Sequence, residues 1–238
     1  MTAETASIIS SLEARISSLE RSSWGTIEDV AGSPPSITPA LRRARRHVQS
    51  SRCFSSLWKH CPPRYYSLSL DDRRAVLGAH STGQLCKACL FENKNYKPDH
   101  EDGDGEEGAD NDPTNSRYYL VVVQYVESID VKKLASELRG LRPSGGGRRL
   151  GPNYFSDLRL APEDASERLT GYGHNGVSPF GMLDRSVPVV VCKSVTDVVP
   201  KFVWMGGGDK DWKLGMAVSE FVRGLDAIVL DVSEPRAV

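Results

Sequence analysis

Gln84–Glu92 (QLCKACLFE) is apolar at odd and even positions alike, apart from a single lysine at 87. A half-exposed strand alternates apolar and polar residues, whereas a strand covered on both faces reads as a nearly continuous apolar run. The segment is therefore expected to be a central strand. Tyr118–Val126 (YYLVVVQYV) repeats the signature with β-branched and aromatic residues, which fit a pleated, buried surface. Residues 93–117 between them are rich in Gly and Asp, a composition that cannot bury enough apolar surface to order itself. The two strands are expected to pair across a disordered acidic insertion at 94–117, which acts as an oversized hairpin loop.

Working outward, Ser69–Leu77 is expected to be a helix capped by Ser69, favoured at its N-terminus by Asp71 and Asp72, and stopped by Gly78. Asp130–Arg139 has an Asp cap and Gly140 behind it, and Pro162–Leu169 places proline in its first turn. A helix is also expected over Ser219–Leu225. Further strands are expected at 154–160, Val187–Cys192, Lys201–Met205, Trp212–Met216 and, as the last one, Ala227–Val232. Strands of mixed spacing with short helices between them indicate an α+β domain around a mixed sheet.

Upstream, Ile9, Leu12, Ile16 and Leu19 fall on one stripe of a short helix over 7–22, either docked on its own domain or offered to a partner. Residues 31–40 carry three prolines and read as a linker, so residues 1–40 are assigned to an N-terminal helix and linker and 41–238 to the domain.

The 238 residues carry 30 Lys and Arg against 31 Asp and Glu, a net charge of −1 that excludes a strongly basic nucleic-acid binder if taken as a whole. The distribution is uneven. Eight acids (Asp99, Glu101, Asp102, Asp104, Glu106, Glu107, Asp110 and Asp112) lie in the insertion, and without them 30 basic face 23 acidic side chains. The body is basic, with a cluster at Arg42, Arg43, Arg45, Arg46, His47 and Arg52 that is suited either to phosphates or to a solvated helix face. No apolar run approaches the ~20 residues that span a bilayer, and Glu4, Glu13 and Glu20 argue against a signal or transit peptide. Five cysteines, an odd number without framework spacing, point to reduced thiols and a cytoplasmic location.

Three places invite chemistry. Lys87 shares a parity with Leu85, Cys89 and Phe91, so its stem enters an apolar face, where an ammonium is costly unless it meets an anionic or carbonyl ligand. The alternative is an edge lysine that snorkels to water, and strand position alone favours it. Gly171–Gly181 (GYGHNGVSPFG) can form a rigid turn whose backbone N–H groups hold a carbonyl oxygen as it becomes negative, or it is an ordinary Gly-Pro loop. Gly206–Gly208 allows a ligand close to the backbone, or merely joins two strands.

Other signatures fail. Cys86 and Cys89 are three apart in a strand and point to opposite faces, so they do not chelate one ion. In the acidic loop Glu107 stands where a calcium loop requires glycine. No nucleophile elbow, phosphate loop, dinucleotide fingerprint or zinc-protease motif is present, and neither a metal nor an organic cofactor is expected.

Taken in order, QLCKACLFEN, Ile129-Asp-Val-Lys-Lys-Leu134, LAPEDASERLTGYGHNGVSPFGM and the late triple glycine resemble the YbaK/ProX aminoacyl-tRNA deacylases, relatives of the editing domain inserted in bacterial prolyl-tRNA synthetases. YYSLSLDDRRAVLGAHSTGQLCK, YYLVVVQYV and GGGDKDWKLGM are similar to a eukaryotic branch of that superfamily. The resemblance covers about residues 65–232. It implies a mixed central sheet or partial barrel with short flanking helices, and hydrolysis of the ester of a mischarged tRNA without metal or cofactor.

By the same resemblance, Lys87 occupies the position of the essential lysine. Tyr172, His174, Asn175, Gly176, Val177, Ser178, Pro179 and Phe180, with Gly206, Gly207 and Gly208, form the substrate-binding surface. A small amino acid such as Ala or Cys, carried on tRNA-Pro, is the implied substrate. Two positions depart from the pattern: Asn175 stands where the family's G-x-x-x-P motif has glycine, and Met205 where many bacterial members have serine. An alternative of a different class is a non-catalytic tRNA-binding or assembly subunit of an aminoacyl-tRNA synthetase complex, recruited through the helix at 7–22.

Overall fold

The computed structural model of the chain describes residues 4–12, 15, 27–29, 37–98, 112–142 and 150–236. β3 (Cys86–Asn93) and β4 (Tyr118–Gln124) pair antiparallel, with Cys86 opposite Gln124 and Glu92 opposite Tyr118. β7 (Val189–Cys192) runs parallel to β4, β10 (Ile228–Leu230) runs parallel to β7, and β6 (Leu158–Leu160) pairs antiparallel with β3. The resulting order, β10-β7-β4-β3-β6, is a mixed five-stranded sheet. Val121, Val122 and Val123 on β4 and Val190 and Val191 on β7 are fully buried, which is why these runs carry no polar parity. Each such side chain contributes about 1.5–3 kcal/mol by leaving water.

A second sheet has the order β1-β2-β9-β8, from β1 (Ile27–Asp29), β2 (Leu57–His60), β9 (Trp212–Ala217) and β8 (Phe202–Gly206). A parallel bridge between Leu85 and Trp204 joins the two sheets just ahead of β3. β5 (Glu127–Ile129) and β11 (Ser233–Pro235) form a separate antiparallel pair. The helices are α1 (residues 4–12), α2 (Pro39–Ser50), α3 (Leu70–Leu77), α4 (Val131–Gly140), α5 (Glu163–Thr170), α6 (Lys193–Thr196) and α7 (Val218–Gly224). The architecture is mixed α+β.

The caps behave as their residue types require. Ser69 accepts from Asp72 N at 3.1 Å, and Gly78 closes α3 at φ 67. Asp130 accepts from the N–H groups of Lys132 and Lys133, and Gly171 ends α5 at φ 69.

The structure corrects several expectations. Pro39, expected in a linker, opens α2 with Thr38 as its cap, the position where a missing N–H costs nothing; residues 31–36 lie outside the described residues. The strand expected at 154–160 is confined to 158–160, because turns at Gly151–Tyr154 and Asn153–Ser156 bend the chain first. β11 follows β10, which is therefore not the last strand.

The acidic insertion is anchored at both ends. The Tyr154 hydroxyl donates to Asn115 Oδ1 at 2.7 Å, and Asn115 Nδ2 reaches the Lys97 carbonyl at 3.2 Å. Residues 94–98 and 112–117 of the segment expected to be disordered are among the described residues, and 99–111 lie outside them. α1 covers the start of the expected 7–22 helix, of which 13, 14 and 16–22 are not described. Ile8, Ile9 and Leu12 are exposed, so this part does not dock on the domain.

Candidate active site

Lys87 lies on β3 opposite Val123, half-buried, with Nζ 5.9 Å from the Tyr125 ring centroid. Burial lowers its pKa and Arg236 adds to this, while Cys89 opposes it. Among the described residues no carboxylate forms an ion pair with Lys87. Because the Leu85–Trp204 bridge is parallel, Lys87 and Gly206, each two residues further on, leave the sheet junction at the same end.

The loop after α5 is held by its own side chains and by glycines beneath it. Tyr172 is buried, and its hydroxyl reaches the carbonyls of Phe180 at 2.6 Å and Gly181 at 2.9 Å, which closes the turn on itself. Asn175 stands at φ 65, the left-handed region that asparagine tolerates better than most residues. The departure from glycine here is thus conformationally allowed. The Asn175 carbonyl accepts from the Tyr66 hydroxyl at 2.6 Å.

Gly208 N donates to the Gly176 carbonyl at 3.1 Å, and a Cβ on Gly206 would run into the Val177 carbonyl oxygen. Gly207 N donates to the Trp212 carbonyl at 3.0 Å. Only a glycine at 206 lets the loop lie this close to β8.

The polar groups of the loop divide into engaged and available. Gly176 N–H is spent on the Gly173 carbonyl at 3.0 Å, so it is not one of the donors a substrate would meet. The N–H groups of Val177 and Ser178 donate to no acceptor among the described residues. Ser178 is buried and its hydroxyl accepts from Phe180 N at 3.2 Å. Pro179 is buried, and the Phe180 ring packs on His47 and Phe221 at 5.4 and 6.3 Å. His174 is exposed, with Nδ1 3.6 Å from Glu163.

The basic cluster is divided by α2. Arg43 turns inward: Nε donates to the Gly181 carbonyl and Nη2 to the Gly171 carbonyl at 2.8 Å. Arg46 is exposed, and Arg42 and Arg45 are half-buried. His47, one turn beyond Arg43, accepts from Gly181 N at 2.8 Å through Nδ1. Sequence reasoning placed His47 in the basic cluster but gave it no part in the loop, although a spacing of four on a helix puts it on the same face as Arg43. The N-terminus of α2 and the loop enclose a cavity of about 440 Å³ lined by Thr38, Arg43, Tyr172, Gly176, Gly208 and Lys210, among others. Lys87 is not one of its lining residues.

Beside the loop three tyrosines are packed among cations. Arg73 lies 5.6, 5.3 and 5.6 Å from the rings of Tyr65, Tyr66 and Tyr125. Lys213 Nζ is 4.7 Å from the Tyr66 ring and donates to the Lys210 carbonyl at 2.8 Å. Burial brings the Lys213 pKa down to about 8 against the pull of Cys61, Asp211 and Asp209. Among the described residues no group of three or more His, Cys, Asp or Glu is placed to hold a metal ion, and all five cysteines are free. No helix among the described residues is long and apolar enough to cross a membrane.

No family model matches the chain, and no curated protein matches its sequence. Solved structures do match. A candidate trans-editing enzyme for prolyl-tRNA synthetase superposes with a TM-score of 0.59 at 19% identity, covering 84% of this chain and 99% of the other. A scaffold protein from computational grafting of linear epitopes gives 0.59 at 18% identity, covering 84% and 100%. A hypothetical protein gives 0.54 at 22% identity, covering 81% and 99%. Identities this low establish a shared fold, one that includes a candidate trans-editing enzyme.

Proposed function

We propose that the chain is a trans-editing aminoacyl-tRNA deacylase that cleaves a small amino acid, such as Ala or Cys, from mischarged tRNA, with tRNA-Pro as the carrier. The observation that supports this best is the pair of loop amides at Val177 and Ser178 that find no acceptor among the described residues, in a loop seated on Gly206.

An aminoacyl ester is already activated, so positioning and oxyanion stabilisation carry the reaction. Water, or a hydroxyl or thiol of the aminoacyl group itself, adds to the carbonyl carbon. The oxyanion forms against the amides of Val177 and Ser178. The bond to the ribose oxygen then breaks and a proton passes to that oxygen. With water this releases the free amino acid; with the aminoacyl group's own nucleophile it releases a cyclic product. Lys87 supplies positive charge to the substrate end. Residue Gly176 acts through its carbonyl, which Gly208 holds in place.

The test is a panel of mischarged tRNAs with the full chain and with Lys87→Ala. Deacylation by the wild type, abolished in Lys87→Ala at unchanged thermal stability, supports the reading; normal turnover by the variant sinks the role of Lys87.

A second reading, a non-catalytic assembly subunit, draws on the exposed Ile8, Ile9 and Leu12 of α1. It requires tRNA or synthetase binding without turnover, lost on Ile9→Asp/Leu12→Asp.

A further inference from the structure

We infer that Tyr66 is a positioning residue of this site: its hydroxyl fixes the Asn175–Gly176 peptide of the loop. The inference rests on the deacylase reading above.

Tyr66 is itself firmly placed. It lies in a 3-10 turn (Tyr65–Ser67), and Arg73 of α3 donates to the carbonyls of Tyr66 at 2.5 Å and Leu68 at 3.0 Å. Arg73 and Lys213 both lie within cation–π distance of its ring, at 5.3 and 4.7 Å. From that ring the hydroxyl reaches the Asn175 carbonyl at 2.6 Å, and the Arg73 guanidinium that lies over it also lies 5.6 Å from the Tyr125 ring. The Tyr125 ring in turn faces Lys87 Nζ at 5.9 Å. Burial pushes the Tyr66 hydroxyl pKa upward, so it stays a donor at any pH that an aminoacyl ester survives.

The carbonyl it holds belongs to a residue that needs holding. Asn175 is at φ 65, and an L-residue in that region has lower-energy conformations elsewhere. Relaxing Asn175 would rotate the peptide that leads into Gly176 and shift the Val177 and Ser178 amides that follow. A ground-state ester binds mainly through its tRNA, whereas the oxyanion depends on those amides. The loss on removing the hydroxyl therefore falls on kcat.

The experiment compares wild type, Tyr66→Phe, Asn175→Gly and the double variant for deacylation of whichever mischarged tRNA the wild type cleaves. Amide exchange over 172–181 is followed by mass spectrometry. For Tyr66→Phe the expected result is a drop in kcat of about tenfold, the size set by one neutral hydrogen bond, with KM within about twofold. Exchange in the loop should quicken by a similar factor. Glycine at 175 needs no restraint at positive φ, so Tyr66→Phe/Asn175→Gly should recover at least about threefold in kcat over Tyr66→Phe.

An active wild type with Tyr66→Phe kcat within about twofold overturns the role of Tyr66 and leaves the deacylase reading standing. So does a double variant no better than Tyr66→Phe. A wild type that deacylates nothing on the panel sinks the deacylase reading, and this role with it.

Discussion

Arg43 Nε donates to the Gly181 carbonyl oxygen at 2.5 Å, across 138 positions of sequence. The same guanidinium reaches the Gly171 carbonyl through Nη2 at 2.8 Å, so one side chain fastens both ends of the loop that carries the candidate site. Gly181 sits at φ 74 with its α-carbon face against Ala44, where a Cβ would meet the α2 backbone at 2.6 Å. Helix and loop are therefore a single packed unit.

Arg43→Ala leaves the Gly171 carbonyl without a donor and the Gly181 carbonyl with the Tyr172 hydroxyl alone, and should destabilise the protein by about 1–3 kcal/mol, measured by urea unfolding. Arg43→Lys should recover little, because an ammonium cannot span both carbonyls as a planar fork does. Full stability in either variant would refute the clamp.

His47 adds a pH dependence to the same unit. Burial, with Arg185 adding to it, lowers its pKa from 6.5, which suits an Nδ1 that must stay unprotonated to accept from Gly181 N. The unfolded chain takes up this proton first as the pH falls. The contribution of His47 is thus full above about 6.5 and is lost on acidification toward the lower folded value. Melting temperatures between about pH 7.5 and 5.5 should fall for the wild type and fall less for His47→Gln, which keeps an acceptor and does not titrate. Parallel curves would show that His47 has no part in it.

The sheet and the site differed in how far they could be read from sequence. The runs around Leu90 and Val122 are apolar on both parities because each has a neighbouring strand on both sides and cover on both faces, so periodicity alone predicts them. β2 escaped because Trp58-Lys59-His60 is short and charged. Its lysine is buried by donating to the Leu77 carbonyl at 2.9 Å, an acceptor no local pattern announces. The loop at 171–181 was visible as glycines and proline, and Asn175 as a residue in a glycine's place. What holds the loop was not visible. Tyr66, Arg43 and His47 reach it from 109, 138 and 134 residues away, and such contacts leave no periodic trace.

Gly206 and Asn175 test the backbone geometry of the loop from opposite sides. Gly206→Ala forces a methyl into the Val177 carbonyl, a contact made by backbone rather than by a yielding side chain. It should cost at least about 1–3 kcal/mol and quicken amide exchange in 175–178. Asn175→Ala keeps φ 65 only at a cost of about 1–2 kcal/mol, whereas Asn175→Gly should be neutral or stabilising. Thermal melting of the three variants gives the order directly. An alanine at 175 as stable as glycine would mean that the loop does not hold positive φ in solution.

Charge on α2 can be separated into the part that holds the loop and the part that faces outward. Arg46 is exposed, while Arg43 is committed to the Gly181 and Gly171 carbonyls. If the basic body meets tRNA phosphates along this helix, Arg46→Ala should reduce the slope of log K against log salt by about 0.7–0.9 and leave the melting temperature alone. Arg43→Ala should do the reverse, lowering the melting temperature with little change in slope, because its charge already lies against backbone oxygens. Titrating an uncharged tRNA against each variant at several salt concentrations distinguishes them. Identical slopes for the wild type and Arg46→Ala would remove α2 from the tRNA interface.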